Sequence, residues 1–250
     1  MSGTGVIAGG HGRVGSVLSG LAVIVGCVLF LGGFGWGAVA YQPYTVPSES
    51  MSPSILPGDR VLAERIDGSK VRRGDVVVFA DKTWGEATML KRVVAVGGDT
   101  VACCDAQGRL TVNGEPVEEP YLRNQDKASP TDFSAEIPEG KLFLLGDERM
   151  GSLDSREHLQ EAGHGAVSRD DVSARVDAVV WPLPGGFVER PQGFVALPGG
   201  VSQPGPVKLI FAAIVSGALL ILGGAAYGPL ARRFGRRKAS TARDRVTTHA

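Results

Sequence analysis

The sequence predicts a mainly β domain flanked by two transmembrane α-helices. Three observations predict it. Two long apolar runs lie near the two ends, the stretch between them is built of short β-rich runs bounded by Gly, Pro and Asp, and arginines crowd the last twenty or so residues.

Residues 14–40 contain no Asp, Glu, Lys or Arg. A bilayer core of ~30 Å needs ~20 apolar residues in a helix, so this run is long enough to span. Trp36 and Tyr41 fall near its end, where amphipathic aromatics favour the interface. A cleaved secretory signal is the rival reading, but its apolar region is normally ~7–15 residues. The longer run favours a retained anchor, although Ala38-Val39-Ala40 is itself a small-x-small pattern at which the chain could be processed.

The second span, residues 207–229, carries only Lys208 at its edge. Beyond it lie Arg232, Arg233, Arg236, Arg237, Lys238, Arg243 and Arg245, opposed only by Asp244. The positive-inside rule keeps this basic tail, residues 230–250, in the cytoplasm. With two spans the amino-terminal tail, residues 1–13, shares that side, and its Arg13 and His11 without any acid agree. The expected protein is a multi-pass protein of the plasma membrane with residues 41–206 outside the cell. Tail arginines near anionic lipid would each add ~1 kcal/mol of attraction.

Lys+Arg and Asp+Glu number 26 each, so no global charge draws the chain to nucleic acid, and no basic recognition helix is present outside the tail. Cysteine is scarce: Cys27 lies in the first span, and Cys103 and Cys104 are adjacent. Disulfide geometry wants Cα atoms ~4.4–6.8 Å apart, and trans neighbours sit at ~3.8 Å, so a free pair is the preferred expectation.

Between the spans, Val76-Val77-Val78-Phe79, Val93-Val94-Ala95-Val96, residues 141–145 and residues 178–181 read as strands. Leu110-Thr111-Val112, then Asn113-Gly114, then Glu115-Pro116-Val117 reads as a hairpin with a type I′ turn. The outer domain is expected over residues 41–182, followed by a Gly/Pro-rich linker over 183–206.

The histidine-based hydrolases find no support. There is no Gly-x-Ser-x-Gly elbow and no His-Glu-x-x-His zinc helix. His158 and His164, with Glu157 and Glu161 nearby, have weak metal spacing and read as a solvated loop. No metal and no cofactor is expected. What is present is Pro47-Ser48-Glu49-Ser50-Met51-Ser52-Pro53, a few residues beyond the first span. Then follow Arg73-Gly74-Asp75, Leu90-Lys91-Arg92-Val93, and Leu145-Gly146-Asp147-Glu148-Arg149-Met150-Gly151-Ser152-Leu153-Asp154-Ser155-Arg156. Taken singly these are a loop, turns and an edge lysine.

Taken together and in this order after an amino-terminal span, the four segments resemble the type I signal peptidases, in the two-span form of Gram-positive bacteria and actinobacteria. The resemblance covers the first span and the domain to about Trp181. It implies a signal-peptidase-like, LexA-like β catalytic domain. It also implies a serine endopeptidase that removes amino-terminal signal peptides from secreted preproteins after small-x-small (Ala-x-Ala) sites. The implied partners are preprotein signal peptides, the lipid bilayer and the secretion translocon.

By that resemblance Ser50 is the nucleophile and Lys91 the general base. Ser48 and the backbone N–H of Ser50 form the oxyanion hole, and Ser152 positions the lysine. Asp154, Arg156, Asp147 and Arg149 support the site. Val46, Pro47, Met51, Ile55, Met89 and Leu90 shape shallow apolar subsites. The chemistry is sound: a serine hydroxyl needs an adjacent base, and lysine serves only when neutral. Burial can lower its reference pKa of ~10.4 by up to ~3–5 units; a drop to about 8 is ~3 kcal/mol at ~1.36 kcal/mol per unit. The segments before Ser50 and Lys91 read as extended, so a substrate peptide could add as a strand between them.

Glu148 stands where the family usually has Asn after Gly-Asp, and Met150-Gly151 stands where Asp-Asn is common. Two other readings compete. A LexA-like autoprotease would carry a DNA-binding module, which is not found here. A membrane-tethered peptide-binding scaffold with a vestigial dyad is favoured only by Glu148.

Overall fold

The computed structural model describes residues 10–161 and 163–247, and the chain divides into two units: its two helical ends, and residues 40–205. In the helical unit, α1 is Gly10–Ala40 and α2 is Val207–Thr247. Within Gly15–Ala40 and within Val207–Tyr227 the most apolar 18 residues reach a mean hydropathy of 2.4, and both stretches are long enough to cross a membrane. Residues 1–9 and 248–250, and the side chains of the arginines beyond Tyr227, lie outside the described residues.

The two helices pack through small residues. A Cβ on Gly26 would sit 2.8 Å from the Gly217 carbonyl oxygen, and one on Gly217 would sit 2.7 Å from that of Gly26. Ser19 Oγ donates to the Gly224 carbonyl at 2.7 Å. In lipid no hydrophobic gain drives such pairing; close backbone approach and hydrogen bonds do.

The domain unit is mainly β, as the sequence predicts. Its strands are β1 Tyr41–Thr45, β2 Arg60–Arg65, β3 Val76–Phe79, β4 Met89–Val96, β5 Thr100–Cys103, β6 Leu110–Val112, β7 Glu115–Pro116, β8 Phe133–Glu136, β9 Lys141–Leu145, β10 Val167–Ser168, β11 Val172–Trp181 and β12 Gly186–Phe187. One antiparallel sheet runs β1-β2-β11-β3-β4-β9-β10, with β12 against β11; a smaller one runs β7-β6-β5-β8. Strand β3 is buried on both faces, which is why it is an unbroken apolar run. Val76 and Val78 join Val46, Met51, Ile55 and Leu90, whereas Val77 and Phe79 join Val93, Leu142 and Leu144. A third cluster, with Val101, Leu110, Phe133, Phe143 and Phe194, fills the space at the smaller sheet.

The predicted hairpin forms. Asn113 and Gly114 both take positive φ, 56° and 83°, as a type I′ turn demands, and β6 pairs with β7. One expectation is corrected. Cys103 and Cys104 are joined as a vicinal disulfide rather than free, with Cys103 buried beside Leu110 and Phe133. Of the Gly/Pro-rich stretch 183–206, residues 183–205 belong to the domain unit and form a strap held against it. Arg190 reaches Asp75 at 3.0 Å and Asp177 at 2.6 Å, Ser202 donates to Asp75, and Phe194 is fully buried. The Gly and Pro content masks these few anchoring side chains, which follow no period.

Candidate active site

The turn Glu49–Met51 projects Ser50 at the mouth of a cleft. Buried apolar residues fix the turn: Met51 and Ile55 are fully enclosed, and Ile55 N–H donates to the Met51 carbonyl at 3.0 Å. Its ends are closed by Val46 N–H to the Asp59 carbonyl at 2.9 Å and Gly58 N–H to the Val46 carbonyl at 2.8 Å. Ser48 Oγ lies 3.3 Å from Ser50 Oγ.

Strand β4 brings Lys91 to the same cleft, opposite Val77 in the β3–β4 register. Only 4% of Lys91 is exposed. Burial pulls its pKa down to about 8; Asp154 and Asp147 oppose the shift and Arg156 assists it. Among the described residues its ammonium has no hydrogen-bond or ion-pair partner.

Behind Lys91 the loop after β9 is wired to the strand it leaves. Gly146 N–H donates to Asp154 Oδ2 at 2.9 Å, and Leu144 N–H to Ser155 Oγ at 2.8 Å. Glu148 N–H donates to the Ser50 carbonyl at 3.1 Å, and the Glu148 carbonyl accepts from Ser152 N–H at 3.0 Å. One residue therefore ties the Ser50 turn to the Ser152 turn through its backbone. Ser152 Oγ is buried and has no partner among the described residues. An orphaned buried hydroxyl costs ~1–3 kcal/mol, so its retention asks for a functional reason.

Buried ion pairs surround this core. Arg156 grips Asp154 with Nε at 2.8 Å and Nη2 at 2.9 Å. Asp147 instead accepts from Arg92, at 2.8 and 2.6 Å, and Arg92 lies 4.1 Å from the centroid of the Tyr121 ring. Arg149 pairs with Glu119, at 2.9 and 2.6 Å. The attraction of Asp147 and Glu119 holds both of these guanidiniums above their ordinary pKa against the cost of burial. Arg92, Glu119 and Tyr121 were missed from the sequence; they lie 55 and about 30 residues from their partners, and nothing local announces them.

The cleft, about 370 Å³, is lined by Val46, Pro47, Met51, Met89 and Leu90 among the expected subsite residues, and also by Glu49, Thr88, Glu148, Gly151 and Leu153. Ile55 does not line it, because its side chain is spent in the core. His158 and His164 lie elsewhere: His158 stacks on Trp84 at 4.4 Å and its Nδ1 is 2.7 Å from Glu161.

Comparison with known proteins places the same stretch in a family. A probable signal peptidase I of Mycobacterium leprae is 31% identical, over 56% of this chain and 68% of its own length. Signal peptidase I U of Bacillus subtilis is 34% identical, over 58% of this chain and 78% of its own. A Bacillus licheniformis signal peptidase I is 32% identical, over 58% and 80%. The profile of the signal peptidase, peptidase S26, family matches residues 17–181, a stretch that takes in most of the first apolar helix, the Ser50 turn, Lys91 and the Ser152 loop, and the chain belongs to that family.

Proposed function

We propose that this protein is a membrane-anchored serine endopeptidase that removes signal peptides from exported preproteins after small-x-small sites, with Ser50 as nucleophile and Lys91 as general base. The observation that carries the reading is the pairing, in one cleft, of an accessible serine hydroxyl with a buried lysine whose pKa is brought down to about 8 and whose ammonium is unpartnered.

In this reading Lys91 Nζ takes the proton as Ser50 Oγ attacks the scissile carbonyl. The developing oxyanion is met by the Ser50 N–H and Ser48 Oγ, donors of a kind whose single loss costs ~10²–10³ in rate. Nζ then returns the proton to the leaving amine, and water releases the acyl group by the same exchange. The orphaned Ser152 Oγ is the hydrogen-bonding partner held ready for Nζ. Val46, Pro47, Met89 and Leu90 offer the shallow apolar wall against which alanine side chains fit. Two pairing apolar helices anchor the site at the membrane, where a signal peptide's apolar segment ends. The basic carboxyl end supports an orientation with both termini in the cytoplasm and the domain outside.

The test is cleavage of a preprotein whose signal ends in Ala-x-Ala, with the cut mapped by mass spectrometry of both products. The reading expects one cut after the second alanine and none with Ser50→Ala or Lys91→Ala. Wild-type rates from Ser50→Ala would overturn it.

A further inference from the structure

Three charged side chains line the cleft beside Ser50: Lys91, Glu49 and Glu148. The acids that surround the site from behind are all consumed: Asp147 by Arg92, Asp154 by Arg156 and Glu119 by Arg149. Glu49 and Glu148 differ. Glu49 is exposed and Glu148 half-buried, and neither carboxylate has a hydrogen-bond or ion-pair partner among the described residues. In a domain that pairs its acids near the site so thoroughly, the two left open are those that face the cleft.

Lys91 does not balance them. It is nine-tenths buried, lines the same cleft without a partner, and works only in its neutral form. In that form the cleft carries two negative charges and no positive one. A cation arriving with the substrate meets two free carboxylates, whereas an anion is repelled by both. Such an arrangement discriminates between partners more than it adds affinity.

We infer that Glu49 and Glu148 are specificity residues that select preproteins carrying a lysine or arginine within three residues of the scissile bond, at a position other than the two small ones. This rests on the reading of the cleft as the substrate site. The alanine positions before the cut occupy the apolar wall, so the basic side chain belongs to the intervening residue or to the first residues of the mature chain.

Two measurements on the full chain in detergent test it separately from the catalytic assignment. Peptides with an Ala-x-Ala site would carry Lys, Gln or Glu at each nearby position in turn. Cleavage by the wild type gives kcat/KM, and binding to Ser50→Ala gives Kd without chemistry. At one position at least, Lys should exceed Glu about tenfold in both measurements at low salt, with Gln between them. That ratio should shrink toward unity in high salt, as for solvent-reached charges. In Glu49→Gln/Glu148→Gln it should fall to within about twofold, whatever the absolute rate. A ratio near one at every position, or one that survives the double substitution, overturns the inference. If no peptide is cut, the catalytic reading fails while the binding ratios still decide this one.

Discussion

Gly146 lies with its bare Cα against Ser152: a methyl group there would strike Ser152 Oγ and Cβ and the Ser50 carbonyl oxygen. The absence of a side chain at Gly146 is what lets the Ser50 turn and the Ser152 turn approach each other. Glu148 then joins them by its backbone, at 3.1 Å to Ser50 and 3.0 Å from Ser152. The side chain at position 148 takes no part in that bridge, so the departure from the family's usual Asn leaves the bridge intact.

Gly146→Ala should therefore separate the two turns. Overpacking of this kind destabilises by about 1–3 kcal/mol, and a displacement of about 1 Å at a reacting centre costs on the order of 10² in rate. Activity should fall at least tenfold in protein that still unfolds cooperatively; kcat/KM beside a thermal melt checks both.

Ser152→Ala removes a buried hydroxyl that has no partner. Stability should be unchanged or slightly higher, because no hydrogen bond is lost. Cleavage should nevertheless drop by about tenfold or more. A melt that falls by several degrees together with activity would mean that Ser152 is structural.

Lys91→Met should kill cleavage and stabilise the fold at neutral pH. The lysine's folded pKa, about 8, lies below its ordinary 10.5, so the unfolded chain binds the extra proton between those values. Stability contributed by the neutral form is thus full above pH 10.5 and lost as pH falls through 8. Below that the buried ammonium costs about 3 kcal/mol, taking ~1.36 kcal/mol per unit, and the methionine variant avoids it. Its gain over wild type, read by denaturant unfolding, should be largest at pH 7 and vanish near pH 10.5.

Arg190→Ala should loosen the strap. It strips Asp75 and Asp177, both nearly unexposed, of a guanidinium 3.0 and 2.6 Å away. Leaving buried carboxylates without that partner costs about 3–5 kcal/mol. Limited proteolysis should then cut within residues 183–205, where the wild type resists.

What the sequence makes legible is local. The Ser50 turn, Lys91 and the Ser152 loop are contiguous motifs, and β3 and the Asn113-Gly114 hairpin follow from runs and turns a few residues long. What the sequence conceals is long-range pairing. Arg92 gives no sign that its carboxylate is Asp147, and Arg149 none that its partner is Glu119. The strap is hidden for the same reason: Phe194, Arg190 and Ser202 hold it, but they stand in a Gly/Pro-rich stretch without periodicity. Ile55 shows the converse limit, since an apolar residue a few positions beyond Ser50 reads equally well as subsite or core.

The most direct test of the account is the pH dependence of kcat/KM for an Ala-x-Ala preprotein, measured on the full chain in detergent. The account predicts a rate that climbs tenfold per unit at low pH and levels off near pH 8, where Lys91 becomes neutral. Asp154→Asn, which removes the largest attraction opposing the shift, should move that limb to lower pH. A profile flat from about pH 6 to 9, or one whose limb is unchanged in Asp154→Asn, would contradict a buried lysine acting as the base.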